Sequence, residues 1–561
     1  MAKVVKKKKK GLGSMARAGT GSGEQSSRRP QFVAKMPPCG FNCPNHNKIR
    51  AALMMISKAE DYNESYDDAI SEAWYLFLER TPFPSVMGRV CPHPCETECN
   101  RVAKEGAVSI NAMERFIGDF GIEKGLKPRK LTDEKRSEKI AVIGSGPAGM
   151  SCAYQLARRG YPVTVFEAFP KSGGMLRYGI PDYRLPQAVL DAEINRILDM
   201  GVELKLNTAV GREIPYDDIK KEYKAVFVGL GAHQGYKLGV AGEDAANVMT
   251  GTAFLNNINS GESVDVGKKV VVIGGGDTAI DAARVSRRLG ADVTILYRRT
   301  REEMPAIDEE IEGGLEESVR IDYLAAPIEI YKDGERATGM KCQRMELGEP
   351  DASGRRRPVP IDGDTYDLEF DTLIAAISQE PDFTGLDHLR EGRDWIKIDE
   401  SGKTKEDNVY AGGDNINLGI AITAVFQGRV AAEAIDAAIK GEERVKPEQL
   451  PIIRHDKMKL DYYETKERNT VIQMAVEERL KQLDAEISET FTQETAINEA
   501  KRCMSCGMCF DCGSCWSFCQ DNAIVKPLIK KRGEQYKFKL EFCKGCDKCA
   551  ENCPCGYIEM H

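Results

Sequence analysis

No stretch of this 561-residue sequence stays apolar for the roughly 18 residues that a membrane helix requires, so no helical span is expected. An excess of positive charge is lacking too. The 79 Lys and Arg stand against 87 Asp and Glu, a net charge of −8, which argues against a dedicated nucleic-acid binder. The basic run Lys6–Lys10 leads into Gly-Leu-Gly-Ser instead of an apolar segment, so no secretory leader is expected and the chain reads as cytoplasmic. No catalytic triad and no paired carboxylates call for acid–base chemistry. The most informative gap is in the cysteines. The 403 residues from Asn100 to Arg502 hold only Cys152 and Cys342, while five cysteines lie between Cys39 and Cys99 and eleven between Cys503 and Cys555. A disulfide scaffold does not leave so long a bare middle, and thiolates gathered at the two ends point to metal.

What is present divides along the chain. Residues 1–36 carry a lysine run and then low-complexity Gly, Ser, Thr and Arg, and read as a disordered basic tail. Residues 37–125 repeat apolar residues at helical spacing, as in Tyr66–Leu78, with cysteines between such stretches. From residue 139 the pattern changes to α/β. A strand–glycine–helix–strand unit runs from Lys139 to Phe166, and the same unit recurs from Lys269 to Leu296. Residues 441–502 are charged and helix-prone and read as a helical connector.

The first glycine turn is Gly144-Ser145-Gly146-Pro147-Ala148-Gly149, between a strand and a helix. Glycine there lets the chain turn tightly and approach a pyrophosphate seated on the helix N-terminus. Glu167 ends the next strand, where a carboxylate can accept hydrogen bonds from a ribose. The second turn is Gly274-Gly275-Gly276-Asp277-Thr278-Ala279, but its second strand ends in Tyr297-Arg298-Arg299 with no acid. Arginine pairs bidentately with a 2′-phosphate that a carboxylate would repel, which favours NADP(H) over NAD(H). A third glycine stretch, Gly412-Gly413-Asp414, follows far downstream.

At the C-terminus, Cys543-x2-Cys546-x2-Cys549-x3-Cys553-Pro554 has the spacing of a two-cluster ferredoxin. Upstream, the one register that contains the x3 step is Cys509-x2-Cys512-x2-Cys515-x3-Cys519, with Gln520 in place of proline. Because the fourth cysteine of each run serves the other cluster, the expected sets are Cys509, Cys512, Cys515 and Cys553, and Cys543, Cys546, Cys549 and Cys519. Zinc is the rival, disfavoured by the repeated three-plus-one spacing.

Residues 139–440 resemble the flavoprotein oxidoreductases with two dinucleotide domains, above all the small subunit of glutamate synthase and its relatives. The resemblance rests on Gly144–Gly149 with Glu167, on Gly173–Pro186, on Gly274–Ala279 with Tyr297–Arg299, and on Ala411–Asp414. It implies FAD on the first unit, with Gly174, Met175, Gly413 and Asp414 at the flavin, and NAD(P)H on the inserted second unit. Gly88–Cys95 is similar to that family's helical domain with two [4Fe–4S] clusters, yet the two cysteines expected before Cys39 are missing. Glu499–Gly507 has the look of the absent segment. The resemblance therefore implies that Cys503 and Cys506 fold back to complete a cluster with Cys39 and Cys99. Cys43, Cys91 and Cys95 hold another with Glu114 as a carboxylate ligand, making four clusters in all, and Cys152, Cys342 and Cys555 are left over.

The whole layout looks like the iron–sulfur flavoprotein of the dissimilatory sulfite reductase system. The resemblance implies a redox partner, sulfite reductase or a ferredoxin-like carrier, with homodimer and hetero-oligomer both open. Two other readings share the chemistry: an electron-input subunit of glutamate synthase, and an NAD(P)H:ferredoxin or Fe(III) reductase. The expected fold is α/β with two nested Rossmann-like domains. FAD takes residues 126–265 and 370–440 and NAD(P)H takes 266–369. The helical iron–sulfur domain is 37–125, and the ferredoxin-like domain is 503–561.

Overall fold

Short runs of branched residues ending in glycine build two parallel sheets in the middle of the chain. The first places Val409–Ala411, Ala225–Val228, Ile140–Ile143, Val163–Phe166 and Glu203–Lys205 side by side. The second places Val248–Thr250, Thr372–Ala375, Lys269–Ile273, Asp292–Tyr297 and Arg320–Tyr323 in the same manner. In each, the strand feeding the glycine turn is central and buried, as a parallel strand under crossover helices must be. The helices Pro147–Arg158 and Asp277–Arg288 follow those turns. This is a computed structural model, and it describes residues 26–561 apart from 353, 392–394 and 530.

The chain leaves the first sheet, builds the second and returns, so one domain is inserted into the other. The inserted domain is wider than the expected 266–369. Val248–Thr250 and Thr372–Ala375 pair with its strands and not with the first sheet. Both are very short strands without a turn signature of their own. A three-stranded antiparallel sheet, Ala325–Asp333, Arg336–Pro350 and Arg356–Glu369, is attached to it.

Helical spacing in the N-terminal region yields Ile49–Ser57, Tyr66–Leu78, Pro84–Val90 and Ile110–Glu123. The last two touch through glycine: a Cβ on Gly118 would lie 2.2 Å from Ser85 N. Trp74 is fully buried, and Tyr154 of the helix Pro147–Arg158 donates to Leu78 O at 2.8 Å, so one core joins this domain to the first sheet.

Two expectations are corrected. Residues 1–25 of the expected tail lie outside the described residues, but residues 26–36 are not a tail. Pro30–Phe32 pairs antiparallel with Ile558–Met560, and Phe32 stacks on Tyr557 with ring centroids 5.2 Å apart. Residues 441–502 form a strap with two short α-helices, Val476–Arg479 and Gln493–Ala500, and two single 3-10 turns, His455–Lys457 and Leu460–Tyr462, rather than a helical connector. Partners on other domains override its helix propensity. Arg479 pairs with Glu316 at 2.9 Å, Glu486 takes Arg89 at 2.7 Å and Arg115 at 2.9 Å, and Ile487 N donates to Tyr183 O at 3.1 Å. The C-terminal domain is anchored by Arg532, which pairs with Glu64 and donates to Met55 O at 2.9 Å. Among the described residues no helix is long and apolar enough to cross a membrane.

Candidate functional site

The glycines of the first turn do different things. Gly144 has φ +97°, and a Cβ there would stand 2.2 Å from Gly229 O; a Cβ on Gly149 would stand 2.0 Å from Gly144 O. The fold itself demands these two. Gly146 instead faces open space, its nearest neighbour being Gly174 Cα at 3.9 Å from a built Cβ. That is the space a pyrophosphate needs over the helix that starts at Pro147. Glu167 is buried beside it, accepting from Ser145 N and Phe169 N, each at 2.9 Å. Its carboxylate is therefore held at the turn by the fold. Gly413 and Asp414 reach the same space from the end of Val409–Ala411. A Cβ on Gly413 would lie 3.2 Å from Ala148 Cβ, and Asp414 accepts from Gly419 N at 3.2 Å. Burial pushes the Asp414 carboxyl up from 3.8 to about 6.

The second turn repeats this division. A Cβ on Gly274, at φ +144°, would stand 2.2 Å from Ala376 O, whereas one on Gly276 would meet nothing closer than Pro305 Cγ at 3.9 Å. Asp277 accepts from Ile307 N at 2.9 Å, and Thr278 lines the adjoining cleft. The two arginines separate. Arg298 is exposed and makes no hydrogen bond or ion pair among the described residues. Arg299 is 4% exposed and committed to Asp351 Oδ2 and Arg356 O, both at 2.7 Å. The expectation that both arginines meet the nucleotide is thereby corrected: Arg299 ties its strand to the antiparallel sheet, and Arg298 alone is free for a phosphate.

A cleft of about 630 Å³ joins the two turns, lined by Gly144–Ala148, Glu167, Gly174, Met175 and Asp414 on one side and Asp277 and Thr278 on the other. The stretch Gly173–Pro186 ends by clamping the domains together. Tyr183 Oη donates to Asp281 Oδ1 at 3.1 Å, Arg184 Nη1 donates to Asp281 Oδ2 at 2.7 Å, and Arg184 also pairs with Glu310 at 3.0 Å. His233 lines the same cleft with its ring 5.1 Å from Phe169, and burial pushes its imidazole down to about 4, so it is uncharged at neutral pH. A single histidine after Gly229-Leu-Gly-Ala carries no spacing signal, so sequence reasoning missed it.

None of the eighteen cysteines is joined in a disulfide. Cys39, Cys99, Cys503 and Cys506 surround one small cavity, with Arg50 on its wall. Cys509, Cys512, Cys515 and Cys553 surround a second, joined there by Cys555, whose Sγ is 3.9 Å from that of Cys553. Cys519, Cys543, Cys546 and Cys549 surround a third. Near Glu114, burial, and with it the Glu114 carboxylate, pushes the thiols of Cys43, Cys91 and Cys95 up. Glu114 is itself pushed up to about 8, first by burial and then by Glu193; Asn47 donates to it at 3.3 Å, and no Lys or Arg pairs with it among the described residues. His93 stands apart, its Nδ1 3.1 Å from Cys91 O.

The fold-back of Cys503 and Cys506 has a visible cause. The helix Gln493–Ala500 carries Glu499 in its last turn, where it accepts from Ser109 N at 2.8 Å, and Arg502 is buried, donating to Gly106 O and Ala107 O at 2.9 Å each. Among the described residues no three His, Cys, Asp or Glu side chains converge on one point as a lone ion requires. Soft thiol donors arranged around small cavities, together with a buried carboxylate that no cation pairs among the described residues, fit multi-iron clusters.

Two dinucleotide turns facing one cleft and sets of crowded thiols define an iron–sulfur flavoprotein that works with a nicotinamide. Residues 138–428 match the pyridine nucleotide-disulphide oxidoreductase family, and residues 21–126 match the dihydropyrimidine dehydrogenase domain II, 4Fe-4S cluster, family. The NADPH-Fe(3+) oxidoreductase subunit beta of Geobacter sulfurreducens is 36% identical over 85% of this chain and 76% of its own length. The NADP(+)-dependent formate dehydrogenase subunit beta of Moorella thermoacetica is 39% identical over 72% of this chain and 60% of its own. The glutamate synthase [NADPH] small chain of Escherichia coli is 35% identical over 71% and 88%. The chain belongs to the pyridine nucleotide-disulphide oxidoreductase family, in its branch with the glutamate synthase small subunit and related iron–sulfur oxidoreductases. It is an FAD-dependent iron–sulfur NAD(P)H oxidoreductase.

Proposed function

We propose that the chain carries electrons between NADP(H), bound at Gly274–Thr278 with Arg298 on the 2′-phosphate, and a redox partner protein, by way of FAD at Gly144–Gly149 and four cysteine sets. What supports the reading is that successive cysteine sets are linked through cysteines only a few residues apart in the chain. Val90 and Pro92, on either side of Cys91, line the flavin cleft. The set of Cys43, Cys91, Cys95 and Glu114 adjoins the set of Cys39, Cys99, Cys503 and Cys506, because Cys39 and Cys43 sit four residues apart, as do Cys95 and Cys99. Cys506 and Cys509 lead to the third set, and Cys515 with Cys519 and Cys549 with Cys553 lead to the fourth. FAD, when bound, takes a hydride's two electrons and gives them up singly, the step that a nicotinamide and an iron–sulfur cluster cannot make between them. The protein's part is to hold both nucleotides in one cleft, with the Tyr183–Asp281 clamp setting their orientation.

The partner is the finer matter. Dissimilatory sulfite reductase is our first candidate, on the resemblance of the whole layout. The similarity to NADPH-Fe(3+) oxidoreductase and glutamate synthase subunits supports the alternatives of an Fe(III) or ferredoxin reductase and of an electron-input subunit. The test is co-purification from native cells followed by kinetics with NADPH, NADH and the co-purified protein. Turnover with NADPH and sulfite reductase supports the first candidate. Turnover only with a glutaminase-type subunit replaces it.

A further inference from the structure

The surface around the fourth cysteine set combines exposed aromatic side chains with lysines. Among the described residues Cys546 is the one exposed cysteine. Phe518, next to Cys519, is 50% exposed and Phe542, next to Cys543, is 54% exposed, and Trp516 and Leu540 are exposed with them. Trp516 to Lys548 holds eight Lys or Arg against four Asp or Glu, a net of four positive in a chain of net charge −8. The lysines stand over the aromatics: Lys526 Nζ is 5.4 Å from the Trp516 ring centroid and Lys539 Nζ is 5.9 Å from that of Phe542. Lys526, Lys537 and Lys539 are exposed and enter no ion pair among the described residues. Exposed aromatics and Leu540 with cations over them, next to the cysteines that line the last cavity, are costly to leave in water and mark a contact surface.

We propose that this face docks an acidic one-electron carrier protein of ferredoxin type, an inference that rests on the electron-transfer reading above in its ferredoxin-reductase form. Apolar contact at Phe518, Leu540 and Phe542 brings the carrier's cofactor against the exposed edge at Cys546. The lysine rim speeds encounter with an acidic partner and repels basic ones. A mainly electrostatic rim makes the encounter rate fall steeply with salt.

The test uses the full-length holoenzyme and an acidic bacterial two-[4Fe–4S] ferredoxin as probe. The triple variant Lys526→Glu, Lys537→Glu, Lys539→Glu is expected to lower the second-order rate of ferredoxin reduction at low salt by about tenfold or more. The difference should vanish at high salt, with iron content and flavin bleaching by NADPH unchanged. Leu540→Ser is expected to weaken binding while keeping the wild-type salt slope. An unchanged rate in the triple variant overturns the proposal. So does sedimentation of the wild type with phosphatidylglycerol vesicles through this face, or a wild-type dimer that the variants dissolve. Calorimetric binding of oxidised ferredoxin reads the face without turnover, so a failure of NADPH to bleach the flavin sinks the electron-transfer reading separately.

Discussion

Replacing Arg502 by methionine removes the latch that brings Cys503 and Cys506 to Cys39 and Cys99. The side chain is 1% exposed, and its guanidinium donates to Gly106 O and Ala107 O at 2.9 Å and to Lys466 O at 3.0 Å, and pairs with Glu499 at 2.6 Å. Methionine fills the space of the stem and deletes every one of those contacts. Removing one partner of a buried pair costs about 3–5 kcal/mol. Glu499 keeps Ser109 N at 2.8 Å and Asn469 N at 3.0 Å, which places the cost near the lower bound. About 3 kcal/mol lowers the docked-to-undocked ratio of this segment about a hundredfold. The assay pairs iron analysis with amide hydrogen exchange of the purified protein. On the four-cluster reading proposed above, iron is expected to fall by about four atoms per chain from about 16, with exchange across 496–506 faster by about a hundredfold. Arg502→Lys, which keeps the charge but not the fork of donors, should fall between the two. Wild-type iron content together with wild-type protection of 496–506 in Arg502→Met would refute the reasoning.

Three further outcomes are expected. Gly144→Ala should destabilise the fold by about 2–4 kcal/mol in urea unfolding, combining left-handed backbone cost with the clash at Gly229 O, whereas Gly146→Val should fold and purify without flavin. Arg298→Ala should raise KM for NADPH by about ten- to a hundredfold and leave that for NADH alone, while Arg299→Ala should lower Tm without changing the preference. Asp414 holds its proton more tightly in the folded flavin-free protein than in the unfolded chain. The stability linked to it is complete below about pH 3.8 and is lost as pH rises through about 6, amounting to about 3 kcal/mol at most. Urea unfolding of the flavin-free protein at pH 5 and pH 8 should show the part of that loss lying above pH 5, about 1.4 kcal/mol, relative to Asp414→Asn, and parallel behaviour of the two proteins would count against it.

What could be read in the sequence was whatever has a fixed spacing. The glycine turns announced themselves because close approach to a neighbouring carbonyl, as at Gly144 and Gly274, admits no other residue. The cysteine runs did so because Cys503 and Cys506 are left over once the x3 step sets the register. The helical spacing of Tyr66–Leu78 was legible for the same reason. Long-range partnerships have no spacing. Arg502 and Glu499 read as surface residues of a charged segment and are among the most buried in the chain. Arg299 has the composition of a phosphate ligand and the environment of a structural tie. The strap 441–502 looks helix-prone until its partners, Arg89, Arg115 and Glu316, are seen on three different elements. Pro30–Phe32 could not be told from the basic run before it, because its partner strand lies at the other end of the chain.

The central claim is that NADP(H), FAD and the thiol-held clusters form one route through the molecule. Anaerobic titration with NADPH, with absorbance and EPR recorded on the same samples, tests it most directly. The flavin is expected to bleach and reduced [4Fe–4S] signals then to grow in, one of them altered in Cys546→Ser. A flavin that bleaches fully while every cluster stays oxidised, with or without an added electron acceptor, would contradict it.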